Sequence, residues 1–154
     1  MIKKVSTELK VGDKAPAFAL PDHEGVFISL RAYQGVQPVV LIFYPGDDTP
    51  DCTKQLCAIR DDWSAFKRLK AAVFGVNGGS AESHTNFWRA HGLKTPLLVD
   101  EERRVAKRYG AIRKFFKTEI IRRTVVVIDT NGIIRYLKRG LPPTSEILEA
   151  LKAL

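Results

Sequence analysis

Apolar residues along this chain fall into two alternating patterns. Near-continuous runs at residues 38–44, 72–76, 97–99 and 124–128 have no polar partner at every second position, which predicts strands covered on both faces. Between them the spacing changes. Cys52, Leu56, Ile59, Trp63 and Phe66 recur every three or four residues, predicting one amphipathic helix from Thr49 to about Leu69. Gly78, Gly79 and Ser80 introduce a second helix that carries Phe87 and Trp88 and stops near Gly92. A third covers residues 102–109 and is closed by Gly110, and Thr144 is placed to cap a last one with Ile147, Leu148 and Leu151 on one face. Upstream, residues 17–20 and 26–29 read as two short strands about a turn between Pro21 and Gly25. Asn131 and Gly132 predict a type I′ hairpin that returns the chain through residues 133–137.

Strands alternating with helices, then an antiparallel hairpin and a final helix, describe an α/β chain of thioredoxin-like fold, a mixed β-sheet with helices on both faces. The length suits a single domain over residues 1–154. An apolar content of 45% with 27% charged residues is ordinary for a globular protein in water. No apolar run approaches the roughly 18 residues that span a bilayer, and residues 1–8 lack the apolar stretch of a secretory signal. A cytoplasmic protein with no membrane partner is expected. The formal net charge of +8 raises the question of acidic partners. Arg103, Arg104, Lys107, Arg108, Arg113, Lys114, Lys117, Arg122 and Arg123 carry much of it. They read as a solvated helix face and loop. No nucleic-acid partner is expected, because aromatic stacking platforms are not interleaved with them.

The segment between Tyr44 and the long helix adds chemistry. It reads Pro45, Gly46, Asp47, Asp48, Thr49, Pro50, Asp51, Cys52. Thr49 suits a helix N-cap and Pro50 the first helical position. Cys52 then falls in the first turn, where free backbone N–H groups and the helix dipole favour a thiolate. Cys57 follows five residues on. On a helical wheel Leu56, Ile59 and Trp63 lie within roughly 40° of Cys52, whereas Cys57 lies about 140° away. The two Cα atoms stand roughly 8.6 Å apart on an intact helix, beyond the limit of about 7 Å for a disulfide. A bond between them therefore requires the first turns to unwind. So short a loop gains little as a staple, and in a reducing compartment such a pair is catalytic or redox-sensing. No metal site is expected, since His23, His84 and His91 are scattered without ligand spacing to the cysteines. A nucleophilic thiolate with a second thiol to trap its oxidised product is the chemistry of a thiol peroxidase, which needs no cofactor.

These residues resemble the peroxiredoxin active site, whose signature is a proline, three residues, a threonine or serine, two residues and a cysteine; here they are Pro45, Thr49 and Cys52. The second cysteine at the fifth position after the first resembles the bacterioferritin-comigratory-protein, or Q-type, subfamily, and Gln55 matches a polar position of the motif. Gly12, Asp13, Ala15, Pro16 and Phe18 resemble the family's opening, and residues 96–100 its middle strand. Arg123 stands six residues before Asp129, where the family carries its active-site arginine. The resemblance implies that Cys52 attacks the peroxide and becomes a sulfenic acid. Thr49 is implied to hydrogen-bond the thiolate and the peroxide oxygen, Arg123 to stabilise the thiolate and polarise the peroxide, and Pro45 to shield the site from water. Cys57 is implied to resolve the sulfenic acid as an intramolecular disulfide, which thioredoxin or a similar dithiol reduces. Hydrogen peroxide and organic hydroperoxides are the implied substrates. A resolving thiol in the same chain makes a monomer the expected form.

The chain departs from the family pattern at two positions. Gly46 stands where a lysine or arginine is common, and Asp51 where glycine is common, setting a carboxylate beside Cys52. Arg122 adjoins Arg123, but neighbours in an extended segment face opposite sides, which leaves Arg122 as a surface charge. Phe87 and Trp88 read as core residues, with the wall of an organic hydroperoxide pocket as the other reading. A redox sensor or holdase-like interaction protein using the same thiol pair is the non-enzymatic alternative. A disulfide oxidoreductase is disfavoured, because four residues rather than two separate the cysteines.

Overall fold

The computed structural model describes residues 8–154. Two short strands, β1 (Ala19–Pro21) and β2 (Phe27–Ser29), pair as a hairpin outside the main sheet. The chain then alternates through β3 (Val39–Phe43), α1 (Pro50–Asp61), α2 (Trp63–Arg68), β4 (Ala72–Asn77), α3 (Ala81–Ala90), β5 (Leu97–Val99) and α4 (Arg104–Arg108). A second hairpin, β6 (Ile112–Phe115) with β7 (Thr118–Ile121), precedes β8 (Thr124–Ile128), β9 (Ile134–Arg139) and α5 (Thr144–Lys152).

The main sheet has five strands in the order β5-β4-β3-β8-β9. The first three run parallel, β8 lies antiparallel to β3, and β9 antiparallel to β8. This is the mixed, thioredoxin-like sheet expected. Successive strand residues face opposite sides, and here both sides are covered. Val40, Ile42 and Tyr44 pack in one core with Leu56, Ile59, Phe66, Phe87 and Ile147, so α1, α2, α3 and α5 share that face. Val39, Leu41 and Phe43 pack on the other with Phe18, Val105 and Tyr109. Every residue of β3 and of β8 is buried, which is why neither run alternates with polar positions.

Four local expectations are corrected. The single helix from Thr49 to about Leu69 breaks at Asp62, which ends α1 and caps α2. Asp61 and Asp62 are weak helix formers, and their charge opposes the negative end of α1 while suiting the start of α2. The basic stretch ending at Arg123 is only partly helix and loop; residues 112–121 form the hairpin of β6 and β7. The turn after β8 is not type I′, because of its residues only Gly132 has positive φ, at 81°. Gly132 N donates to Asp129 O, and the Asp129 carboxylate accepts from the backbone N–H groups of Asn131 and Ile133. That arrangement rests on the Asp129 side chain and needs left-handed backbone once, not twice. Finally, Pro143 rather than Thr144 is the N-cap of α5.

Gly75, in the middle of β4, leaves room for its neighbours. A Cβ there would stand 2.8 Å from Leu97 Cδ2 and 3.1 Å from Tyr44 Cε1. Gly75→Ala is expected to destabilise the fold by about 1–3 kcal/mol through overpacking, read as a lower urea midpoint. An unchanged midpoint would show that Tyr44 and Leu97 give way freely.

Candidate active site

The end of β3 leads into a short loop, residues 44–49, from which α1 departs. Thr49 is its N-cap in extended backbone and Pro50 its first residue, as the sequence predicts. The first helical hydrogen bond runs from Thr53 N to Thr49 O at 2.9 Å. Cys52 therefore sits in the first turn, fully buried against the helical face of the sheet.

Arg123 arrives from another segment. The pairing of β8 with β3 sets Thr124 opposite Phe43, so the residue entering β8 stands opposite the residue leaving β3. Gly140 N donates to Arg123 O at 2.9 Å and fixes its backbone. From there Arg123 Nη1 donates to Cys52 Sγ at 3.2 Å. A guanidinium aimed at sulfur is the arrangement that steadies negative charge there.

The other expected site residues are placed less uniformly. Pro45 lines a cavity of about 400 Å³ together with Arg113, Arg122, Arg123 and Arg139. Arg122 is thus a cavity residue rather than a plain surface charge. Thr49 Oγ1 donates to Gly46 O at 3.0 Å. Its proton is directed at the loop backbone, so a role as donor to sulfur or peroxide needs that hydrogen bond to be exchanged. Gln55 is buried, with Oε1 lacking a hydrogen-bond partner, beside a cavity lined by Leu141 and Pro142. Cys57 is partly buried at the edge of the core that holds Cys52. Helix α1 is unbroken across both cysteines, and both thiols are free. Phe87 is fully buried, whereas Trp88 is only partly so and packs on the ring of His23.

Sequence reasoning missed a buried network that holds the loop. The Asp47 carboxylate accepts from Tyr44 Oη and Ser83 Oγ, each at 2.7 Å, and meets His84 Nδ1 at 2.6 Å. His84 is fully buried, and its Nε2 faces Leu98 O at 3.1 Å and Asn77 O at 3.3 Å. His84 thus bridges the Asp47 carboxylate and the carbonyl oxygens of Asn77 and Leu98. One residue on, Asp48 meets His91 Nε2 at 2.9 Å. Two Asp–His pairs therefore tie the cysteine's loop to α3. A signal was available: His84 shares a helical stripe with Phe87 and His91, and a polar side chain on an apolar stripe needs a buried partner. Spacing could not name Asp47, which lies 37 residues away. Burial pushes Asp47 upward, but the hydrogen bonds from His84, Ser83 and Tyr44 outweigh it and hold the carboxyl below its ordinary value. Tyr44 is pushed well above the ordinary phenol value by burial and by the Asp47 charge.

A thioredoxin-like sheet that sets a cysteine at a helix N-terminus, with a guanidinium on its sulfur, defines a thiol-based redox enzyme. The chain belongs to the peroxiredoxins, its residues 11–137 matching the AhpC/TSA family. It is 40% identical over 151 residues to the chloroplastic peroxiredoxin Q of Oryza sativa subsp. japonica, covering 97% of this chain and 69% of that one. With the chloroplastic peroxiredoxin Q of Sedum lineare it shares 40% identity over 156 residues, covering 99% and 83%. Among solved structures, peroxidoxin BcpB from Mycobacterium tuberculosis matches with a TM-score of 0.88 at 30% identity, over 96% of this chain and 99% of that one. Peroxiredoxin Q of Xanthomonas campestris matches with 0.82 at 26% identity, over 88% and 90%. The protein is accordingly a thiol peroxidase.

Because the folded-state pKa of Asp47 lies below its unfolded value, its stabilisation is present above about pH 4 and is lost as pH falls through the folded value. Asp47→Asn is expected to cost about 2–3 kcal/mol at neutral pH and to flatten the acid limb of the stability curve. Chemical unfolding across pH measures both. Parallel acid limbs in the two proteins would remove Asp47 from the account.

Proposed function

We propose that this peroxidase works by a two-cysteine cycle within one chain, with Cys52 as the attacking thiolate. The observation that carries the reading is the Arg123 guanidinium 3.2 Å from Cys52 Sγ, at the N-terminus of α1. Sγ attacks one oxygen of a hydroperoxide. The S–O bond forms as the O–O bond breaks, and the electron pair leaves with the other oxygen, which takes a proton and departs as alcohol or water. Charge grows on that oxygen in the transition state, so a donor already fixed at the site lowers the barrier. Arg123 is that donor, Thr49 adds a second once its hydroxyl turns from Gly46, and Pro45 keeps water from the sulfur.

Cys57 then attacks the Cys52 sulfenic acid. The S–S bond forms, and hydroxide leaves as water with the proton of the Cys57 thiol. An external dithiol of the thioredoxin type returns two electrons and two protons. The solved variants of the Xanthomonas protein alter two cysteines far more widely spaced than the pair here, which makes Cys57 the residue whose role most needs its own test. The cycle requires no second subunit, so the acting form is a monomer, placed in the cytoplasm where thiol reductants abound.

Peroxide turnover with thioredoxin as reductant is expected to fall to background in Cys52→Ser. Cys57→Ser should undergo a single rapid oxidation and then stop. Peptide mass mapping after one equivalent of peroxide should find a link from Cys52 to Cys57 inside one chain. Turnover retained by Cys52→Ser refutes the nucleophile, and a link between two chains refutes the single-chain cycle.

A further inference from the structure

Four arginines converge on the cavity beside the reactive cysteine. Arg113 comes from β6, Arg122 and Arg123 from the turn into β8, and Arg139 from the end of β9. Among the described residues, no acidic side chain lines this space of about 400 Å³. Burial and the neighbouring Arg122 charge press Arg139 below the ordinary guanidinium value, while Glu8 acts in the opposite sense. Arg139 is nevertheless pinned in place, donating to Thr124 Oγ1 at 3.0 Å and to Tyr109 O at 3.3 Å. Like charges gathered and held in one recess repel, and an oxyanion seated among them relieves that repulsion while accepting paired hydrogen bonds. The cavity is not uniformly polar. Ile120 and Pro45 supply apolar wall, enough for a few carbon atoms.

Arg123 belongs both to this cavity and to the sulfur, which it contacts through Nη1. A molecule with its peroxide at Sγ can therefore place its far end among the remaining guanidiniums. We propose that the cavity is a subsite for hydroperoxides bearing a carboxylate or phosphate group, the anion held by Arg113, Arg122 and Arg139. The proposal rests on Cys52 being the peroxide-reducing centre. It gives the chain's uneven positive charge a task at the active site: selection of anionic substrates.

The test compares 4-hydroperoxy-4-methylpentanoate with its methyl ester, which keeps the peroxide and loses the charge. The unsubstituted protein is expected to favour the acid by about ten-fold in kcat/KM at low salt, mainly through KM. The preference should shrink as ionic strength rises. In the double variant Arg113→Gln with Arg122→Gln the acid-to-ester ratio should approach one. A ratio near one in the unsubstituted protein, or one that survives both substitutions, overturns the subsite. So does inhibition of acid and ester alike by inorganic phosphate with no preference for the acid, which would make the occupant a free ion. If hydrogen peroxide, acid and ester are all inert, the reading of Cys52 itself falls, and the subsite with it.

Discussion

The site depends on one strand register. Cys52 and Arg123 are 71 residues apart and meet because β8 pairs with β3 so that Thr124 faces Phe43. Apolar alternation cannot set that register, since every residue of both strands is buried and a slip by one would still bury apolar side chains. Polar bonds at the entrance to β8 set it instead. Thr124 is fully buried; its Oγ1 donates to Arg122 O at 2.9 Å and accepts from Arg139 Nη1 at 3.0 Å. Arg122 N donates to Ala111 O, and Gly140 N to Arg123 O. A displaced β8 would leave a hydroxyl and several backbone groups buried without partners, each costing about 1–3 kcal/mol. It would also turn the Arg123 side chain to the other face.

What the sequence disclosed follows from how local each cause is. Thr49, Pro50 and Cys52 were readable because capping and the first helical turn involve adjacent residues. Both fully buried strands announced themselves as unbroken apolar runs. Arg123 was reachable only through the resemblance, by its offset from Asp129, since nothing local marks which of two neighbouring arginines faces sulfur. The hairpin of β6 and β7 is invisible in the sequence because its residues are mostly exposed, leaving no buried face to impose an alternation. The turn at Asn131 and Gly132 departs from the form that dipeptide favours because the carboxylate of Asp129, outside the dipeptide, decides its geometry. Asp47 and His84 were hidden for a different reason: each looks like an ordinary surface residue until the fold places one against the other.

That hidden pair bears on how the helix opens in the proposed cycle. The loop before α1 is anchored to α3 through Asp47 and Asp48, and to β4 through the Tyr44 backbone, which bonds to Val76 O and the Asn77 side chain. Farther along α1, Leu56 and Ile59 are fully buried in the core, and freeing either costs about 2 kcal/mol. Neither end of the reactive segment is therefore free to swing. The required movement is small, however, since Cα atoms roughly 8.6 Å apart on a helix need only come within about 7 Å. Unwinding the single turn that holds Cys52, between the anchored loop and the anchored Leu56, supplies it.

In the proposed cycle, Arg123 sets when this happens. Its hydrogen bond to Sγ is strongest while the sulfur is negative, because the contact is then an ion pair as well as a hydrogen bond. In the proposed cycle, once the sulfur has taken oxygen as a neutral sulfenic acid, the ion-pair part of that contact is gone and one tie on the first turn weakens. On the proposed two-cysteine cycle, the turn is held closed while Cys52 awaits peroxide and loosened by the product of its own reaction, when Cys57 needs access. In that cycle the guanidinium that readies the sulfur for attack also times its release, and the anchors on either side confine the unwinding to the start of α1.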